Sequence, residues 1–410
     1  MANAARIEAD ILALKEITEP GSAGITRIGF TPTYRRGAEF FKERMAQAGL
    51  VVREDSIGNV YGRLEGSKHD LPVILSGSHL DTVRCAGAYD GIAGAVCALE
   101  AARMLKENGI VLRHPYEVMG GIEEEGTRCG QVLLGSKFVT GVFDESDLDR
   151  IRDEDGTSLR HVLAEYAHAD TVPARRNKGE CLAVLELHDE QGPVLEEEGI
   201  DVGIVERIVA ISWLSVTVSG FAGHAGTVPM SLRQDAAWGA CRLIDRILVH
   251  TKEKYAHTAT ATVGRLELQP GSANCIPASC TFTVDLRSGE IDTVEEITDY
   301  IRTQARVVEA ECDVTIDVRV GSKTDAIELD KHLREVLARS CNALGITHRP
   351  LNSGAGHDAM VFSSHWPTAM LFVPCAKGIT HNPEEHVLPE QLARGTDVLY
   401  QTILTLDREN

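Results

Sequence analysis

Three short apolar runs in the first half of the chain each stop at a cluster of imidazole and carboxyl side chains. Val73-Ile74-Leu75 leads into Ser78-His79-Leu80-Asp81, 116–122 into Glu123-Glu124-Glu125, and 182–187 into His188-Asp189-Glu190-Gln191. Runs of this length, bounded by glycine and polar residues, read as buried strands. In open α/β sheets the ligand lies beyond the carboxyl ends of the strands. Three strands delivering His and acids to one edge predict an α/β sheet with a shared site there. Two helices are predicted beside it. One is the Ala-rich stretch 91–105; the other is 34–50, with Phe40, Phe41, Met45 and Ala48 at helical spacing.

A chain of 410 residues exceeds one ordinary domain of roughly 150. The pattern changes at 210–324. There the order is strand (214–219), helix (232–248), strand (261–268), strand (280–286), helix (294–308), strand (314–320), a β-α-β-β-α-β arrangement. After it, a helix at 333–344, a strand at 370–373 and a helix at 390–406 resume the first pattern. The expected architecture is a large α/β domain with a mixed sheet, 1–209 and 325–410, interrupted by a ferredoxin-like α+β domain at 210–324. The polar segment 156–178 gives no clear assignment.

The formal net charge is −20. Nucleic-acid and anionic-membrane partners need clustered Lys and Arg, so neither is expected. The ten cysteines form no CxxC pair, which suits reduced thiols in a cytoplasmic protein. The opening MANAARIEADILAL carries Glu8 and Asp10 and has no signal-peptide apolar core. The one long stretch without Asp, Glu, Lys or Arg in 208–232 contains Ser, Thr, His224, several Gly and Pro229, and reads as strand plus loop.

The candidate site residues are His79, Asp81, Asp90, Glu124, Glu125, His188 and His381. Taken singly, each has a plain structural reading: a core histidine, a solvated turn, a helix cap. Their joint order at strand ends makes the argument. Three His and two carboxylates suit two borderline divalent ions such as Zn²⁺, Mn²⁺ or Co²⁺. Asp81, two residues from His79, is a candidate to accept the other ring N–H of that ligand.

Gly77-Ser78-His79-Leu80-Asp81-Thr82-Val83, Tyr89-Asp90-Gly91, Glu124-Glu125-Gly126 and the segment Glu186 to Pro193 together resemble the M20 metallopeptidase superfamily. Glu190-Gln191-Gly192-Pro193, Gly223-His224-Ala225-Gly226-Thr227-Val228-Pro229-Met230 and Ser353-Gly354-Ala355-Gly356-His357-Asp358 resemble its hydantoinase/carbamoylase branch. The resemblance covers nearly the whole chain. It implies that His79, Asp90 and His188 hold one metal, and that Asp90 bridges to a second held by Glu125 and His381. Glu124 is then the general base and Asp81 orients His79. It further implies that the inserted domain serves as lid and dimerisation domain of a homodimer. His224 would stabilise the transition state, typically across the subunit boundary, and Asn274 and Arg287 would bind substrate. Three positions depart from the pattern: Asp189, where an apolar residue is more common; Arg84-Cys85-Ala86, in place of consecutive glycines; and Cys129, in place of an aromatic residue.

The chemistry fits these groups. An amide or ureido carbon is a poor electrophile and neutral water a poor nucleophile, and paired metals address both. One of two adjacent glutamates can bind metal while the other moves protons. An oxyanion donor, for which His224 is the candidate, is worth roughly 100- to 1000-fold. Arg287 can grip a substrate carboxylate with two parallel hydrogen bonds, although Asp285 offers it a salt bridge. Gln191 and His357 are candidate substrate contacts, each with a loop or structural alternative. The expected activity is cleavage of the carbamoyl C–N bond of small N-carbamoyl-L-amino acids. The alternatives are allantoate, ureidoglycolate or β-ureidopropionate hydrolysis, an aminoacylase or dipeptidase activity, and a non-catalytic metal-dependent binding protein.

Overall fold

The computed structural model describes residues 1–166 and 171–409. The chain forms two compact units, Met1–Glu206 with Leu329–Asn410, and Arg207–Glu328.

In the first unit four parallel strands lie side by side, in the order Tyr116–Gly121, Val73–His79, Cys181–Asp189 and Thr368–Val373. Antiparallel strands flank them. Val60–Leu64 and Val51–Glu54 extend one side, and Val202–Ile208 extends the other. The sheet is therefore mixed. Parallel strands covered on both faces read as continuous apolar runs, and Tyr116–Gly121 and Thr368–Val373 are buried along their whole length.

The Ala-rich stretch forms helix Ile92–Glu107, almost wholly buried. Its small residues let it lie close against the sheet: a Cβ on Gly94 would stand 2.1 Å from the carbonyl oxygen of Leu187. Helix Pro32–Gln47 starts where Thr31 accepts the N–H of Tyr34 and Pro32 fills the first turn. It buries Tyr34, Phe41 and Met45. Within the ambiguous polar segment, Leu159–Tyr166 is helical; residues 167–170 lie outside the described residues.

The strand expected at 182–187 runs on to Asp189. Its pairing with Thr368–Val373 continues through His188↔Phe372 and Asp189↔Val373. His188 and Asp189 are thus held by the sheet ladder and do not sit in a following loop.

The second unit has an antiparallel sheet in the order Leu266–Gln269, Ser279–Ser288, Ala210–Ser219, Thr315–Thr324. Helices Ala236–Tyr255 and Ile291–Cys312 share its core with Leu214, Val216, Val218, Phe282 and Val284. The helix expected at 232–248 begins later, because Asp235 caps it by accepting the N–H groups of Ala237 and Trp238. The strand expected at 261–268 is two strands, Ala259–Thr262 and Leu266–Gln269. They pair with opposite ends of Ser279–Ser288, and Gly264 lies in the break between them, a residue that weakens a strand interior. No described helix is long and apolar enough to cross a membrane, and all ten cysteines are free.

Candidate metal centre

Every candidate ligand comes from the carboxyl end of one of the four parallel strands. His79 ends Val73–His79, and Asp90 follows in the turn before helix Ile92–Glu107. Glu124 and Glu125 follow Tyr116–Gly121, His188 lies on Cys181–Asp189, and His381 follows Thr368–Val373.

Asp90 is the centre of the cluster. Its Oδ1 lies 3.6 Å from His79 Nε2 and 3.3 Å from His188 Nε2. Its Oδ2 lies 3.0 Å from His381 Nε2, which is also 3.3 Å from Glu125 Oε1. The two oxygens of one carboxylate therefore face two different donor sets, the geometry of a bridging ligand. Donor atoms of His79, Asp90 and His188 lie within 4.8 Å of one another, as do those of Asp90, Glu125 and His381. A third group joins His79, Glu124 and Glu125, with Glu124 Oε2 4.0 Å from His79 Nε2.

The histidine tautomers suit coordination through Nε2. His79 Nδ1 lies 3.0 Å from the backbone carbonyl of Asp81, and His188 Nδ1 lies 3.0 Å from that of Asp189. A carbonyl only accepts, so Nδ1 carries the proton in both rings. Gly91 N–H donates to His188 Nε2 at 3.2 Å, which again requires the lone pair on that atom.

The electrostatics point the same way. Burial alone would push the His79 imidazole down, yet Glu124, Asp90 and Asp81 outweigh it and hold it well above its ordinary value. Burial is likewise opposed at His188, by Asp189 and Asp90. The Glu124 carboxyl is pushed well up, by burial first and then by Asp358, Glu125 and Asp81, against the pull of His79. The negative potential that favours a proton on these rings also favours a cation. Among the described residues, no Lys or Arg pairs with Asp90, Glu124 or Glu125. Buried acids without a cationic partner are costly, and Glu125 Oε1 is buried with no hydrogen bond. The donor set, nitrogen and oxygen without thiolate, fits divalent metals.

The backbone at the site is strained. Glu123, Gln191 and His381 have φ values of 55°, 56° and 53°, the left-handed region that costs non-glycine residues about 1–3 kcal/mol and clusters at functional sites. Gly91 has φ 68°, and a Cβ there would stand 2.4 Å from His79 Cε1, so this position needs glycine.

Other expected residues take places of their own. The Asp81 carboxyl lies 3.8 Å from His79 Nδ1; it accepts the N–H groups of Glu124 and Glu125, both at 3.2 Å, and the contact to the ring is made by its carbonyl. Gln191 Nε2 donates to Asp90 Oδ1 at 3.2 Å, while its Oε1 is buried without a partner. His357 is buried, bonded to Ser353 Oγ at 2.9 Å, with its ring 4.6 Å from that of His188. In the second unit His224 and Asn274 are neighbours: His224 pairs with Cys275 across a short bridge, and Ala225 N–H donates to the Asn274 carbonyl at 3.0 Å. Arg287 makes two parallel bonds to Asp285, at 3.0 and 2.9 Å, which is the salt bridge weighed from sequence.

Two residues escaped the sequence reading. Glu385 is buried, accepts the N–H groups of Tyr89 and Asp90 at 2.7 and 3.2 Å, and accepts Thr380 O–H at 3.0 Å. Thr380 also lies 3.3 Å from Asp90 Oδ2. Glu385 thus ties the Asp90 turn to the His381 loop. In the sequence it is one of two adjacent glutamates, and nothing local marks it.

Residues 75–405 match Peptidase family M20/M25/M40. The chain belongs to this family. Among M20 relatives, an N-carbamoyl-L-amino-acid amidohydrolase of Paenarthrobacter aurescens is 39% identical over 409 residues, covering 99% of each chain. The allantoate amidohydrolase of Escherichia coli is 35% identical, covering 92% of each. The crystal structure of a hydantoinase/carbamoylase-family amidase from Burkholderia multivorans superposes with a TM-score of 0.93 at 31% identity, covering 99% of this chain and 98% of that one.

Proposed function

We propose that this M20 chain is a dimetal amidohydrolase that cleaves the carbamoyl C–N bond of small N-carbamoyl-L-amino acids. Water adds to the ureido carbon, the C–N bond to the amino acid breaks, and the released carbamic acid decomposes to ammonia and carbon dioxide. The observation that carries this reading is Asp90, whose Oδ1 faces His79 and His188 and whose Oδ2 faces His381, itself beside Glu125, with Glu124 near His79.

His79, Asp90 and His188 would hold one cation, and Asp90, Glu125 and His381 the other; zinc, manganese and cobalt all suit such ligands. When bound, such a pair supplies Lewis acidity to the substrate carbonyl and lowers the pKa of water. Glu124, adjacent in sequence to Glu125 but not needed as a ligand, takes the water's proton and passes it to the leaving nitrogen. Asp81 fixes the backbone on which both glutamates stand. By similarity to the family, His224 donates a hydrogen bond to the developing oxyanion from a partner copy in a homodimer. Asn274 and Gln191 read the ureido group, Arg287 takes the substrate carboxylate, and His357 supports His188. The second unit, near 210–324, serves as lid and dimerisation domain.

Allantoate is the second reading, favoured by the similarity to the Escherichia coli enzyme. The test is a panel run on chelated and re-metallated protein. Ammonia release from N-carbamoyl-L-amino acids, restored by metal and absent with N-acetyl amino acids and dipeptides, is the expected result. Turnover confined to allantoate moves the assignment to that substrate. Turnover of acetylated amino acids or dipeptides alone overturns the carbamoylase assignment, and metal binding without turnover of any substrate leaves a binding protein.

A further inference from the structure

Asp189 is fully buried, and neither of its carboxyl oxygens has a hydrogen-bond donor. A buried carboxyl without donors is expensive, and such groups in native structures call for an explanation. His188 Nδ1 lies 3.2 Å from its Oδ1. The same nitrogen is 3.0 Å from the Asp189 backbone carbonyl. The ring N–H that points away from Asp90 is thus bonded to the backbone carbonyl, with the carboxyl oxygen of the same residue beside it at ion-pair distance. On the far side of that ring, Nε2 lies 3.3 Å from Asp90 Oδ1. The strand ladder fixes this arrangement, because Asp189 is still paired with Val373. His79 is served differently: its Nδ1 also meets a carbonyl, but the Asp81 carboxyl bonds to Glu124 and Glu125.

We propose that Asp189 is a positioning residue for the metal centre, which holds His188 with Nε2 toward Asp90. A carboxyl group behind a metal-binding imidazole orients the ring and strengthens it as a donor, and its loss typically costs about 10- to 100-fold in metal affinity or activity. Asp189 thereby makes the two metal positions unequal: the one that includes His188 binds its ion more tightly than the backbone carbonyl alone would allow. The inference rests on the dimetal reading above.

The test compares wild type with Asp189→Asn and Asp189→Leu, each checked for folding by circular dichroism of the metal-free protein. Co²⁺ and Zn²⁺ affinities are measured by chelator competition, and visible absorption of the Co²⁺ forms is recorded at full occupancy. The expected result is a loss of about tenfold or more at one of two sites, the other unchanged, with altered Co²⁺ bands. Unchanged affinities and spectra in the folded variants overturn the proposal. So does failure of both variants to fold, which would make Asp189 a folding residue. A wild-type protein that takes up no divalent ion is a different result and defeats the dimetal reading itself.

Discussion

Asp81 holds Glu124 by the backbone, its Oδ1 accepting the Glu124 N–H at 3.2 Å while Oδ2 accepts that of Glu125 at the same distance. Its carbonyl meanwhile takes the ring N–H of His79. One buried residue thus sets the proposed metal ligands His79 and Glu125 and the proposed base Glu124 in a common frame. Asn at this position keeps one acceptor and replaces the other by a donor, which faces an N–H. Asp81→Asn is expected to lower turnover by about 10- to 100-fold, the usual cost of losing an orienting partner. Steady-state assays alongside metal analysis check this; full activity would show that the frame does not matter.

Glu124 makes none of the contacts that bind Asp90 to the three histidines, so its removal is separable from metal uptake. Glu124→Gln is expected to keep two metals and lose turnover by about 10²- to 10⁴-fold, the range for a general acid–base group. Metal content by mass spectrometry and ammonia release decide it. Turnover within twofold of wild type would remove Glu124 from the proton-transfer role.

The placement of this site was legible in the sequence because strand-end chemistry is local. An apolar run followed by His79, or by Glu124 and Glu125, announces both a strand and what it delivers. The limits of the reading lie where structure is set by pairing between distant segments. Cys181–Asp189 outlasts its apolar run because Thr368–Val373 continues to pair with it. Glu385 acts on Asp90 from 295 residues away, a relation that no spacing in one chain encodes. Asp81 sat near enough to His79 to suggest a carboxyl–imidazole contact, but its side chain turned to a different strand end.

His381 and Glu125 form the more exposed half of the cluster, the His381 side chain being 47% exposed. Chelation should therefore strip activity and lower the melting temperature. A ligand at a hundredfold its Kd stabilises by about 2.7 kcal/mol, and return of metal should restore both. His381→Ala is expected to bind one ion instead of two and to lose part of the metal-dependent rise in melting temperature. Calorimetry with and without Zn²⁺, with parallel metal counts, reads this out; two ions retained at unchanged affinity would show that His381 is not a ligand.

Glu117 tests the sheet that carries the site. It is buried, and three guanidiniums meet it: Arg176 at 2.9 Å, Arg53 at 3.1 Å and Arg63 at 3.1 Å. Burial alone would raise its carboxyl, but Arg176, Arg53 and Arg63 outweigh it and hold it below its ordinary value of 4.5. A carboxyl depressed in the folded state contributes stability that is fully present above its unfolded value. That stability is lost as pH falls through the folded value. Removing the charge at neutral pH takes from Arg53 its carboxylate and leaves Arg63 and Arg176 only Glu65 and Glu180, and breaking a buried pair costs about 3–5 kcal/mol. Glu117→Gln is therefore expected to unfold at markedly lower urea than wild type at pH 7, with the gap closing as pH drops below 4.5. Urea titrations followed by tryptophan fluorescence across this range measure the gap. A difference that is constant with pH would mean that packing, and not the Glu117 charge, carries the effect.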